Sequence, residues 1–311
     1  MATQAQAAPT PQVTGMNRKT IEALTGYLFV SPWIILSIIF TFGAMIYVFY
    51  LSFTDLKLLN TPNLIGLTNY IRVAKDPLFW TAVGNTLLYA VVVTFFQTAL
   101  ALVLAVVLNA KLYAKQFFRI SWYIPSVTSS VVISLIFIWI FQKEGILNYA
   151  LSTLFGWTGF QPVAWLTDAR AHTALPALML LNISTTAPTF MLFFLAALQD
   201  IPEDIYEAAS LDGATGLSRF FKITVPMLRP IIFLVVVLGT IGTLQLFDQV
   251  NIMTAGGPLN QTTTINYLIY NSAFTNYDMA YACAMAFMLF VLIFALFLVQ
   301  NRFLGERPEG R

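Results

Sequence analysis

Uncharged apolar stretches recur along the chain, each bounded by charged or ionisable residues. Tyr27–Phe53 lies between Glu22 and Asp55, and a core from about Val83 to Leu108 lies between Asp76 and Lys111. Ile120–Phe141 follows Arg119, about Leu175–Leu198 follows His172, Pro230–Phe247 follows Arg229, and Ala280–Val299 follows Asp278. A helix needs about 20 mostly apolar residues to cross a bilayer. The pattern therefore predicts an all-α, polytopic membrane protein with six transmembrane helices. Two other uncharged stretches do not fit. Gly145–Thr167 is interrupted by Gly156, Gly159 and Pro162 and carries Trp157 and Trp165. It reads as an interfacial segment, because aromatic rings settle at headgroup level. Gln249–Tyr277 holds five asparagines and three consecutive threonines. It is too polar for lipid and reads as a loop with a short helix. Pro32, Pro125, Pro176, Pro188 and Pro230 punctuate the spans and predict kinks or helix ends.

Composition agrees with lipid as the solvent. Of 311 residues 58% are hydrophobic and 10% charged, and the mean hydropathy is +0.76; a soluble domain carries about 25% charged residues. The net charge of +2 gives no reason to expect nucleic acid. One cysteine, Cys283 in an apolar run, and one histidine, His172, leave no material for a disulfide framework or a Cys/His metal site. The first seventeen residues, rich in Ala, Gln, Thr and Pro, are expected to be a disordered tail without the pattern of a signal peptide.

Basic residues orient the spans. The N-terminal tail, the second and fourth loops and the C-terminal tail hold eleven Lys and Arg: Arg18, Lys19, Lys111, Lys115, Arg119, Arg219, Lys222, Arg229, Arg302, Arg307 and Arg311. The other loops hold five. Because basic residues stay inside, both termini and the loop from Gln199 to Arg229 are expected in the cytoplasm.

That fourth loop stands apart from the spans. Pro202, Glu203 and Asp204 open a helix, with proline in the first turn and acids at the positive end of the dipole. Ile205, Ala208 and Ala209 fall on one face. Gly213 ends the helix, since glycine readily takes the left-handed conformation. Thr215 or Ser218 is expected to cap a second helix, which carries Leu217, Phe220 and Phe221 on one side and stops at Pro226. The segment carries five acids against three bases through Arg229, which argues against DNA reading.

The spacing Glu207-Ala208-Ala209, three residues, Gly213, nine residues, Ile223, one residue, Val225, Pro226 resembles the cytoplasmic signature of ABC importer permeases. The one departure is Val225 where that family has leucine. In the family the loop is a coupling helix that docks into a cleft on the ATPase subunit. The resemblance implies that Glu207, Ala208, Ala209, Asp212, Gly213, Ile223 and Pro226 serve that contact. Asn85-Thr86-Leu87, Phe118-Arg119 before Tyr123-Ile124-Pro125, and Thr254-Ala255-Gly256-Gly257-Pro258 look like the sugar subgroup, which includes maltose and glycerol-3-phosphate permeases.

The resemblance implies a division into a tail (1–20), a first helix with an external loop (21–83), an importer core (84–301, with the coupling loop at 200–229) and a second tail (302–311). It implies a multi-pass protein of the inner (plasma) membrane. The implied partners are a second homologous permease forming a heterodimer, two ATP-binding subunits that hold ATP and Mg, an extracytoplasmic solute-binding protein, a sugar cargo and membrane lipid. The chain itself is expected to hold no cofactor and to be no enzyme: none of its seven lysines follows a glycine, so it has no phosphate-cradling P-loop.

Polar residues inside spans are the candidates for a cargo path: Gln97, Asn182, Ser184, Thr185, Thr186, Gln245, Asp248 and Asn251, with Phe247 as a sugar platform. In the maltose-type permeases the fifth span lines the sugar site, and Gln245 falls about where that family places amides. The alternative is that these groups join helices to one another. Gln245 and Phe247 would point apart on an unbroken helix, so they serve one sugar only if the helix breaks there. Glycerol phosphate or another polar solute is the alternative cargo, and a secondary transporter the competing class. The latter has no use for an ATPase-docking motif and is expected to show buried charges within its spans.

Overall fold

The computed structural model describes residues 18–57, 60–110 and 113–305. The tail expected at 1–17 and the basic residues Lys111, Arg307 and Arg311 lie outside the described residues, as do the side chains of Arg18 and Lys19. Among the described residues there is no β-strand, only an isolated bridge between Thr54 and Leu64.

The chain forms two compact units, Met1–Tyr50 and Leu51–Arg311. The first is one apolar helical run: α1 (Arg18–Leu36), a π-helical stretch Ser37–Gly43, and α2 (Ala44–Leu51). Its Phe29, Trp33 and Phe40 are exposed, as suits a surface whose solvent is lipid.

The second unit takes in residues 51–83 as well as the expected core. Asp76 ends α3 (Thr68–Lys75) and caps α4 (Pro77–Asn109) by accepting from Leu78 N at 2.8 Å. Arg72 on α3 pairs with Asp278 at 2.5 Å, and Tyr281 donates to Asp76 at 2.7 Å. These bonds tie the loop to the start of the last span. The 33 residues of α4 run about 50 Å. They pack most extensively on α8 (Ala174–Gln199). Buried Ala101, Ala105 and Ala187 keep the two backbones close there, as small residues do in membrane interfaces.

Among the described residues five helices are long and apolar enough to cross a membrane, six if one bent pair is a single span. The kink or helix end expected at Pro125, within the third span over Ile120–Phe141, takes the form of this bent pair. α5 (Lys115–Val127) and α6 (Ser130–Ile140) meet at 100°. Pro125 withholds a helix hydrogen bond. The polar run Ser126–Ser130 just after it competes locally for the backbone: Ser126 Oγ donates to Tyr123 O and Thr128 Oγ1 to Ile124 O. The stretch expected at the interface forms α7 (Ile146–Phe155) and a 3₁₀ turn Gly156–Thr158.

After α8 come α9 (Glu203–Leu211) and α10 (Gly216–Arg219), then a π-helical stretch Phe220–Thr224, α11 (Val225–Met227) and α12 (Arg229–Leu244). Pro226 does not stop the second helix. The π register lets Val225 N–H reach Phe220 O, five residues back, before the proline removes a donor. α13 (Asp248–Met253), α14 (Ile265–Tyr270) with a π-helical stretch Asn271–Thr275, and α15 (Met279–Leu304) complete the unit.

Candidate functional site

At the end of α4 near Asn109, α9 and α10 form a helix–turn–helix. Gly213 holds φ +76°. Ala214 N–H returns to Ala209 O and Gly213 N–H to Ser210 O, closing α9 in the manner of a Schellman turn. Pro202 is the residue before the first helical turn rather than within it. Thr215 occupies the cap position of α10 but makes no side-chain cap bond, and Ser218 lies inside that helix. The Arg219 guanidinium sits 5.4 Å from the Tyr206 ring centre, and Tyr206 OH lies 3.2 Å from Thr224 Oγ1. The two helices are therefore locked to each other.

The expected shared face of Ile205, Ala208 and Ala209 divides. Ala209 is buried in the protein itself, whereas Ala208 and Glu207 are exposed. At 100° per residue, neighbouring alanines straddle the edge of the packed face. Asp212 and Pro226 are exposed and Ile223 half-buried. Leu211, Leu217 and Phe221 project outward. A cavity of about 450 Å³ opens between α4, α9 and α10, lined among others by Asn109, Glu203, Glu207 and Arg219.

The second feature lies at the opposite end of the spans. α12 stops at Leu244, and Gln245, Leu246 and Phe247 are non-helical before α13 restarts at Asp248. A broken backbone at membrane depth must find partners for its carbonyls. Asn266 donates to Gln245 O at 2.9 Å and Thr264 to Leu246 O at 2.9 Å. The run of threonines beside them is itself anchored. Asn85 Nδ2 donates to Asn260 O and Thr263 O at 3.0 Å each, and Thr86 Oγ1 accepts from Ile265 N. The Asn85-Thr86 pair and the segment after Gly256 are thus two halves of one joint.

The break turns Gln245, Phe247 and Asp248 toward one cavity of about 460 Å³, which Asn182, Gln249 and Asn266 also line. The Phe247 ring centre lies 4.8 Å from that of Tyr270, and Tyr270 lies 5.2 Å from Phe274, each pair tilted, at 49° and 39°. Gln97 is not among the lining residues. It is buried between α4, α8 and α12, with Thr186 Oγ1 donating to its Oε1 at 2.6 Å. Ser184 and Thr185 donate to Leu181 O within their own helix. Asn251, in α13, and His172 are exposed, away from the cavity lining. Gln249, beside Asp248, falls in the stretch that reads as a polar loop, and Asn266 escapes sequence reasoning as a lining residue because only the fold brings its segment back against the fifth span. Among the described residues no group of His, Cys, Asp and Glu could hold a metal ion.

Residues 97–304 match the family described as binding-protein-dependent transport system inner membrane component. The chain is 32% identical over 298 residues to a probable ABC transporter permease of Sinorhizobium fredii (strain NBRC 101917 / NGR234), covering 94% of each. It is 36% identical over 294 residues to the lactose transport system permease LacF of Rhizobium radiobacter, covering 91% of this chain and 95% of the relative. A solved bacterial ABC transporter involved in import of the acidic polysaccharide alginate shares the fold, with a TM-score of 0.77 at 24% identity over 91% of this chain and 96% of that one.

Proposed function

The chain belongs to the family of binding-protein-dependent transport system inner membrane components, and we propose on that basis that it is the permease subunit of an ATP-driven sugar importer. It is a multi-pass protein of the inner membrane with both termini in the cytoplasm. ATP and Mg are handled by two partner ATPase subunits, a second permease completes a heterodimer, and an extracytoplasmic binding protein delivers cargo.

The observation that carries the cargo assignment is the cavity at the broken span. A volume of about 460 Å³ is within the range of small-molecule sites. Its lining combines the amides of Asn182, Gln245, Gln249 and Asn266 with the carboxylate of Asp248 and the ring of Phe247. Amides and an acid bond to hydroxyls, and an aromatic face covers the C–H side of a pyranose. Among the described residues no Lys or Arg lines the cavity, which disfavours a phosphorylated cargo. The lactose permease among the relatives supports the same class.

Energy enters through the α9–α10 segment. Exposed Leu211, Leu217 and Phe221, beside the small Ala208 and the acid Glu207, make a surface suited to an ATPase cleft. Gly213 sets the turn between the helices and Asp212 flanks it. Ile223 lies in the π-helical stretch and Pro226 in α11, which a turn at Leu228 links to α12, and α12 ends at the cavity.

The test is ATP hydrolysis by the purified complex with binding protein and a panel of lactose, maltose, trehalose and glycerol 3-phosphate. Stimulation by a neutral sugar is expected. Stimulation by glycerol 3-phosphate alone would reassign the cargo, and none by any member would remove the sugar reading.

A further inference from the structure

Among the buried polar side chains with an atom that lacks a partner, one lies outside the cavity yet is linked to a residue that lines it. Gln97, on α4, is 1% exposed. Its Oε1 accepts from Thr186, but its Nε2 has no hydrogen-bond partner. Such a donor inside an apolar bundle is expensive and calls for an explanation. It points at α12 where that helix has no side chain: a Cβ built on Gly239 would collide with the Gln97 amide nitrogen. The notch bares helix backbone, and carbonyls there keep acceptor capacity, since each has two lone pairs. Gly239 O and Thr240 O share one such second donor, the Thr243 hydroxyl, at 2.9 and 3.0 Å; its single hydrogen serves one of them at a time, which leaves the other a free lone pair.

The other end of the amide leads to the cavity. The Thr186 hydroxyl has a single hydrogen. It lies 2.6 Å from Gln97 Oε1, 2.7 Å from Asn182 O and 3.4 Å from Asn182 Oδ1, so it serves one acceptor at a time. Asn182 lines the cavity. The π-helical stretch Phe220–Thr224, α11 and a turn at Leu228 link the α9–α10 segment to α12, which ends at the cavity break. Gln97 therefore stands where the helix that links the outward-facing apolar segment to the cavity passes the helix that carries Asn182.

We propose that Gln97 is a positioning residue of the transport cycle, unpaired toward α12 in the state seen here and paired with the α12 backbone at the Gly239 notch in the alternate state. It touches no cargo. A slide or rotation of α12 brings a carbonyl to Nε2, while Thr186 keeps Gln97 in register with Asn182. The unpaired donor weights this state against the other, so the amide lowers the barrier to switching. The inference rests on the importer reading, and its test has one readout that needs no cargo.

The complete importer in liposomes is compared with Gln97→Met, which keeps the volume and removes the amide. An Asn251→Cys reporter, exposed on α13 and outside the cavity lining, is placed in a Cys283→Ser background and labelled with a membrane-impermeant thiol reagent, with and without ATP. Gln97→Met is expected to lower the kcat of uptake about tenfold, equivalent to about 1.4 kcal/mol, to leave KM within about twofold, and to suppress the ATP-dependent change in labelling. Wild-type kcat and labelling would make Gln97 a packing residue, and a raised KM at constant kcat would make it a cargo contact; either overturns the proposal. If Gln97→Met fails to assemble, Thr186→Val decides by the same two readings. If no sugar stimulates the parent complex, the cargo reading fails while the labelling still decides Gln97.

Discussion

At the scale of single residues, burial separates side chains that the sequence treats alike. Ala208 and Ala209 are adjacent in one motif, yet Ala209 packs inside this protein and Ala208 faces out. Ala209→Trp is therefore expected to over-pack the protein's own interior by about 1–3 kcal/mol and to lower its melting temperature. Ala208→Trp is expected to leave the melting temperature unchanged and reduce recovery of the ATPase subunit in a pull-down. Gln245 lines the cavity with an exposed side chain. Gln245→Ala is expected to cost transport about 1–3 kcal/mol, the size of a lost polar partner, at unchanged basal ATP hydrolysis; unaltered uptake kinetics would remove it from the cargo path. Gln245, Asn182, Phe247 and Asp248 are legible in the sequence as polar or aromatic groups in or beside apolar runs. Asn266 is not, because its neighbourhood reads as a polar loop rather than as part of a span, and only the threonine joint folds α14 back against the break.

At the scale of elements, apolar length places the spans well and leaves local backbone chemistry less defined. Gly213 is legible as the end of α9 because a left-handed turn leaves few residue choices. A Cβ there meets nothing within 4 Å, so Gly213→Ala costs only its backbone strain, about 1–2 kcal/mol. The expected sign is a modest fall in ATPase-subunit recovery, smaller than that of Gly213→Asp. The break in the fifth span enters the sequence reading only as a condition for Gln245 and Phe247 to meet one sugar. No glycine or proline marks Gln245–Phe247; the partners that stabilise it, Thr264 and Asn266, lie about twenty residues on. Thr264→Val strands the Leu246 carbonyl and is expected to destabilise the break by about 1–3 kcal/mol, read as a lowered melting temperature and lost uptake. The bend at Thr128 is signalled by Pro125 three residues earlier, but its 100° size is not, because the hydroxyl-rich stretch after the proline remains apolar enough to average into a span.

At the scale of the whole molecule, the two candidate surfaces lie at opposite ends of the spans and are joined through α12. That arrangement is what an importer requires: hydrolysis in another polypeptide must act on a cavity a membrane's width away. The apolar pattern gives the number of spans once the α5–α6 pair is taken as one, and the positive-inside bias gives an orientation that a reporter can test. A reporter active only outside the cytoplasm, fused after Arg311, is expected to be silent. The proposal on which the rest depends is that the α9–α10 segment couples this permease to an ATPase. It is tested by the amount of ATPase subunit that co-purifies with the membrane-inserted chain, alongside uptake, for wild type and Gly213→Asp. Gly213→Asp is expected to insert normally, to recover little ATPase subunit and not to transport. Full recovery with normal uptake would contradict coupling through this segment.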